Sequence, residues 1–318
     1  MFRNEMPRYE ILSEEAMETL DKGWRRIVSE LGVEFALPEA VDYFEKAGQR
    51  VEGAKVFLDP EFVLEQVAKA PSEFDLQARN ADNTVHIGGD HMVFAGVYGP
   101  PFVRRGDQRG DAHMEDFENF VRLGQSFPEM DSAGGTVVEP EDRPLDSRHL
   151  DMVYALQTLS DKPYMGSVIS AENARDTIEM GKILFGKGSD PSVRGLTPPL
   201  DGPVSISLIN CNSPLRWDDR MLSAMLEYNR ANQAVVTTPF LLMGAMSPVS
   251  IPATLVQQMA EALSGIALTQ LVQPGCPVVF GSFLSNTDMQ SGSPSFGTPE
   301  SAVGLLCTGQ IARRFNLP

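Results

Sequence analysis

From Asp131 onward the chain repeats one unit: a short apolar run, a turn, then a helical stretch. The runs are "DSAGGTVV", "KPYMGSVIS", "PVSISLINCN", "AVVTTPFLL" and "PVVFGSF", and helices are expected over 146–160, 172–185, 218–231, 252–272 and 299–315. Such runs are apolar throughout instead of alternating, as strands buried on both faces of a parallel sheet are. Regular strand–helix alternation leaves a doubly wound sheet or a (β/α)8 barrel. No G-x-G-x-x-G follows the first strand, so the dinucleotide-binding version has no support and a TIM-type barrel is expected. About five units fill residues 131–318, whereas a closed barrel needs eight. The chain stops on "RRFNLP", straight after a helix, so the barrel is expected to be truncated after about five βα units. Its two edge runs, "DSAGGTVV" and "PVVFGSF", hold no lysine and no internal guarding proline. Left unpaired, they would favour aggregation or a homo-oligomer.

The preceding sequence is irregular. Ser13 stands where a helix N-cap would, with Glu14 and Glu15 in the first turn and Gly32 at the stop. Short helices are expected from Pro38 to Gly48, from Pro60 to before Pro71, and from Met114 to Gln125. "TVHIGGDHMVFAG" has the form of a hairpin turning at Gly88-Gly89-Asp90. Residues 1–128 are thus an N-terminal α+β extension, and 129–318 the partial barrel.

Composition excludes several classes. A net charge of −17 opposes binding to nucleic acid or an anionic membrane surface and suits a cationic ligand. Cys211, Cys276 and Cys307 are widely spaced, forming neither a disulfide framework nor a zinc pair, and no apolar run approaches membrane-spanning length. A cytoplasmic protein is expected. The histidines, His86, His91, His113 and His149, show no i, i+4 pairing, so no metal site is expected. No P-loop or G-x-S-x-G occurs. Cys211 has no histidine near it in sequence and is expected to be a buried small hydrophobe, and Glu261 in "QQMAEALSG" to be solvated or to pack between helices.

Barrel chemistry sits at the C-terminal ends of the strands. There the chain places small and polar residues: Asn210 on the third run, Phe240 on the fourth, Gly281 and Ser282 on the fifth. Gly281-Ser282 is expected to end its strand and open a pocket floor. Tyr98, Phe240 and Phe283 are candidate faces for a cation, with core packing as the competing role. Met243, Met246 and Met289 cluster near strand ends and, with Gly244, could line an adaptable docking surface.

These segments resemble a known family. "LLMGAMSPVSIPATLVQQMAEALSGIALTQLVQPGCPVVFGSF", "CNSPLRWDDRML" and "TDMQSGSPSFGTPESAVGLLCTGQIARRFNLP" are similar to the trimethylamine methyltransferases, as are "ILSEEAMETL" and "KAGQRVEGAKVFLDPEFV". The Gly-Ala-x-x-Pro-Val segment (244–249) and the Gly-x-Pro-Glu segment (297–300) are the more specific parts. The resemblance implies a (β/α)8 barrel that passes a methyl group from a tertiary or quaternary amine, trimethylamine or a glycine betaine-like compound, to the Co(I) of a corrinoid. It implies no directly bound cofactor, the corrinoid (cobalamin) being carried by a partner protein that docks at the barrel mouth. Some members place pyrrolysine on the sixth strand; that position would follow Pro318, so no catalytic residue is assigned, and the branch lacking pyrrolysine is favoured. The alternative is a catalytically incomplete fragment that binds a ligand or partner without turnover.

Overall fold

The structure is a computed structural model and describes residues 1–186 and 200–318. The amino-terminal part runs β1 (Phe2–Arg3), α1 (Glu14–Arg26), β2 (Val33–Phe35), α2 (Pro38–Lys46), β3 (Arg50–Glu52), β4 (Lys55–Phe57) and α3 (Pro60–Val67). It continues through β5 (Glu73–Leu76), β6 (Val85–Gly88), β7 (His91–Met92), β8 (Phe102–Arg105), β9 (Gln108–Asp111) and α4 (Met114–Ser126). Ser13 caps α1 as expected, its Oγ accepting the Ala16 N–H at 3.2 Å. A wider turn over Ile27–Leu31 then ends at Gly32, whose φ of 73° only glycine adopts without strain. The hairpin expected across Gly88–Asp90 is not formed. β6 pairs instead with β5, and β7 with β1, because Phe74 and Leu76 offer β6 an apolar partner strand that the short β7 does not.

The second part runs α5 (Arg148–Leu159), β10 (Tyr164–Met165), α6 (Ala171–Phe185), β11 (Ser205–Cys211), β12 (Arg216–Trp217), α7 (Asp219–Arg230) and β13 (Ala234–Met243). After it come α8 (Ile251–Val272), β14 (Val278–Phe280), β15 (Phe283–Thr287), β16 (Pro294–Ser295) and α9 (Pro299–Arg314). β10, β11, β13 and the β14–β15 pair lie side by side and parallel, which makes a half-barrel sheet.

Two expected strands are reshaped. "DSAGGTVV" contributes a single parallel bridge, Gly134 to Tyr164, because its backbone groups are taken by the segment before it. Asp131 and Ser132 N–H donate to Phe94 O at 2.9 and 3.1 Å, and Gly99 N–H donates to Thr136 O at 2.7 Å. At the other edge the strand does not end on Gly281-Ser282. It resumes as β15, and the register on β13 is unchanged across the break: Val278 faces Val235 and Phe283 faces Phe240. β16 then pairs with β15, and Phe280 N–H donates to Pro318 O at 2.9 Å. Both edges expected to be bare therefore carry backbone partners.

The two faces of the sheet are covered differently. Ile209, Cys211, Val235, Met243, Val278, Phe280 and Leu284 join the core shared with α8. The opposite, interior face carries Ile206, Ala234, Val236 and Val279 at the strand starts, packed on Phe74, Leu76 and Val85 of the β5–β6 pair. That pair plugs the amino-terminal end of the interior and leaves the carboxyl-terminal end to other residues. α8 is buried almost all round because α1, α2 and α3 cover one side and β13 and β14 the other.

Candidate functional site

Side chains alternate along a strand, so the interior face continues past Val236 and Val279 at every second residue. The next row up holds Asn210 on β11, Thr238 on β13 and Gly281, in register with each other. Above it stand Phe240 and Phe283, directly paired across β13 and β15. Their rings stack with centroids 4.4 Å apart and planes 12° from parallel. Phe296 meets Phe283 edge-on at 5.7 Å and is 73% exposed. Three of the sequence candidates, Asn210, Phe240 and Phe283, thus share one end of one face with Gly281.

Gly281 is there for a steric reason. A Cβ on it would lie 2.4 Å from Thr238 Oγ1 and 2.7 Å from Val236 Cγ1, while its N–H donates to Thr237 O at 2.9 Å. Thr238 itself is 5% exposed and its hydroxyl has no hydrogen-bond partner. No motif in the sequence marked it; only the strand register does.

Other candidates fall elsewhere. Ser282 occupies the opposite face, its Oγ 3.4 Å from Gln258 Oε1 of α8, so it cannot line this end of the interior. Met243 is 5% exposed in the helix-side core, because it is an odd-numbered residue of β13 and odd positions face α8. A docking role for Met243 is excluded by that burial. Gly244, with φ of 88°, and Met289, 84% exposed, do stand on the loops beyond β13 and β15. Tyr98, 38% exposed overall, lies at the β10 edge of the sheet, against Gly135 and Thr136, where burial of its hydroxyl raises its pKa.

Behind the third strand lies Glu261, which is not solvated but packed inside, the second of the two settings expected of it. Glu261 is fully buried and accepts from Ser213 Oγ at 2.6 Å, Leu215 N–H at 2.7 Å and Gln257 Nε2 at 2.8 Å. Burial raises its pKa, and the three donors oppose that rise. The carboxyl group ties the loop after β11 to the middle of α8. Cys211 is buried as expected, and burial, reinforced by nearby Glu261, pushes its thiol well up, which removes it as a nucleophile at neutral pH. Among the described residues no group of three or more His, Cys, Asp or Glu side chains could hold a metal ion, and no helix is long and apolar enough to cross a membrane. An open groove of about 480 Å3 lies away from the phenylalanines, between the β5–β6 pair and Asn316–Pro318.

Comparison with known proteins adds to this geometry. The chain is 41% identical over 314 residues to a glycine betaine methyltransferase of Desulfitobacterium hafniense, covering 98% of this chain and 64% of that protein. It is 26% identical over 309 residues to a proline betaine:corrinoid methyltransferase of Eubacterium limosum, covering 95% of this chain and 62% of that one. The chain therefore spans somewhat less than two thirds of the length of these relatives. Its fold matches the crystal structure of the Methanosarcina barkeri monomethylamine methyltransferase with a TM-score of 0.59 at 12% identity, over 96% of this chain and 60% of that one. A family model described as trimethylamine methyltransferase matches residues 1–318, and the chain belongs to that family.

Proposed function

We propose that the chain is the greater part of a methyltransferase that takes a methyl group from a quaternary amine, glycine betaine-like in kind, and delivers it to a corrinoid protein. The observation that carries this reading is the stacked Phe240–Phe283 pair at the strand ends. A quaternary ammonium cannot be hydrogen-bonded, and aromatic faces are the side chains that attract it, each contributing about 0.5–2 kcal/mol. Phe283 covers one face of the half-buried Phe240, so a cation would take the opposite face, on the side toward β11. The 41% identity to a glycine betaine methyltransferase supports the same substrate class.

A corrinoid carried by the partner would supply the cobalt(I) electron pair for the new bond to the methyl carbon. The carbon–nitrogen bond breaks with its electrons left on nitrogen, so a quaternary amine departs as a neutral tertiary amine with no proton required. The residues of this chain accordingly have to hold and aim the substrate and to exclude water, without acid or base chemistry. The absence of a titratable side chain from the Asn210–Thr238–Gly281 row agrees with that requirement. Exposed Gly244, Met289 and Phe296 leave the strand ends approachable by a group as large as a corrinoid. Closure of the sheet into an eight-stranded barrel in the whole protein is part of the same proposal.

Calorimetry with glycine betaine, trimethylamine and methanol tests it. Glycine betaine should bind best, and Phe240→Ala should weaken it by roughly 2- to 30-fold, the value of one aromatic face. Methanol binding more tightly than every amine would refute the proposal.

A further inference from the structure

One polar group on the interior face has no part in holding the cation. Thr238 is 5% exposed, and its hydroxyl makes no hydrogen bond. Leaving a buried hydroxyl unpaired costs on the order of 1–3 kcal/mol, so such groups call for a partner. Most buried threonines in strands find one locally: Thr237, next in sequence, bonds Val279 O at 3.3 Å. Thr238 points to the other face, toward Gly281, where no backbone acceptor is within reach of it. Across the ladder its register neighbour is Asn210, a half-buried amide whose side chain also makes no hydrogen bond to any described residue. Two uncharged donors without partners therefore sit side by side, one row deeper than Phe240 and Phe283.

We propose that Asn210 and Thr238 receive the carboxylate of a zwitterionic betaine whose ammonium group lies on Phe240. This rests on the proposed function and assigns the residues that hold the carboxylate of its glycine betaine-like substrate. The scale is compatible: rows two residues apart on a strand are about 6.6 Å apart, a spacing that a one-carbon link between ammonium and carboxylate spans together with a hydrogen bond from the chain to the carboxylate. The orientation fits as well. With the carboxylate toward the strand starts, the methyl groups point outward past Phe240, to the end from which a methyl acceptor arrives. The reverse orientation would bury the methyl groups against Val236 and Val279 and expose the carboxylate. Gly281 contributes by absence, since any side chain there would occupy the position of the Thr238 hydroxyl.

Calorimetry on the 318-residue chain separates this inference from the functional reading beneath it. Glycine betaine carries both groups and tetramethylammonium only the cation. Wild type should bind glycine betaine at least about tenfold more tightly. Thr238→Val, which keeps the shape and removes the hydroxyl, and Asn210→Ala should each weaken glycine betaine by roughly ten- to a hundredfold, the effect of one hydrogen bond to a charged group, and leave tetramethylammonium within about twofold. Thr238→Ser should restore most of the loss, which a folding defect would not allow. Equal affinity of wild type for the two ligands, or equal losses for both in the variants, would overturn the carboxylate subsite while leaving the cation site standing. If neither ligand binds wild type, the functional reading and the subsite are both refuted.

Discussion

At the scale of single residues the most consequential is Glu261, because it holds a buried carboxyl group against three donors from two different segments. Removing it as Glu261→Ala strands the Leu215 N–H and the Ser213 hydroxyl in an apolar setting and should cost about 3 kcal/mol or more. Glu261→Gln keeps the shape and an acceptor and should cost far less. The raised pKa fixes the sign of the pH dependence. A carboxyl group with a folded-state pKa above its unfolded value stabilises most when protonated, below about pH 4.3, and that contribution is lost as pH rises through the folded-state pKa. Wild type should therefore lose stability relative to Glu261→Gln between about pH 4 and pH 7, as denaturant melts at the two pH values would show. A difference that moves the other way would mean that the donors outweigh burial. The motif "QQMAEALSG" alone does not show this, since it looks the same on a solvated helix as on a central one. What gives it away is the near absence of charge along α8, where Glu261 is the one acidic or basic residue between Ile251 and Val272.

At the scale of elements, α8 shows how packing overrides pattern. A helix covered on both sides needs small residues where large neighbours cross it. Gly265 meets that need against Trp217, since a Cβ there would come within 2.5 Å of the indole ring. Trp217 is itself fully buried. Gly265→Ala ordinarily gains helix propensity of about 1 kcal/mol; here it should instead destabilise by roughly 1–3 kcal/mol through overpacking. Thermal melting of the variant checks this, and a raised midpoint would show that Trp217 yields easily. The helices and the β11 and β13 strands were legible from apolar runs, caps and prolines, which are local signals. The hairpin at Gly88–Asp90 and the full strand at "DSAGGTVV" were not. Their pairing depends on competition from β5, β1 and the Phe94–Pro100 segment, which local sequence does not encode. Ser282 and Met243 were misplaced for a related reason: strands buried on both faces lack the alternation that tells one face from the other.

At the scale of the whole molecule, the amino-terminal part and the half-barrel are built into one another. β12 pairs with β2, Gln310 of α9 bonds the backbone of Ile11 and Leu12, and Met17, Trp24 and Val28 share a core with Leu263 and Ile311. Through that arrangement the β5–β6 pair closes the strand starts and the interior face stays available at the strand ends. The family was legible from whole segments such as 244–249 and 297–300, whereas the row of Asn210, Thr238 and Gly281 emerges only when three strands are brought into register. The central claim is that this end of the interior face holds a quaternary cation. Arsenobetaine, in which arsenic replaces the nitrogen of glycine betaine, would locate that cation directly by the anomalous scattering of arsenic in a crystal of the complex. The arsenic peak is expected at van der Waals distance from the free face of Phe240, with the carboxylate toward Thr238 and Asn210. A peak instead in the groove beside His91 and Arg313, or on the helix side of the sheet near Ser282, would contradict the claim.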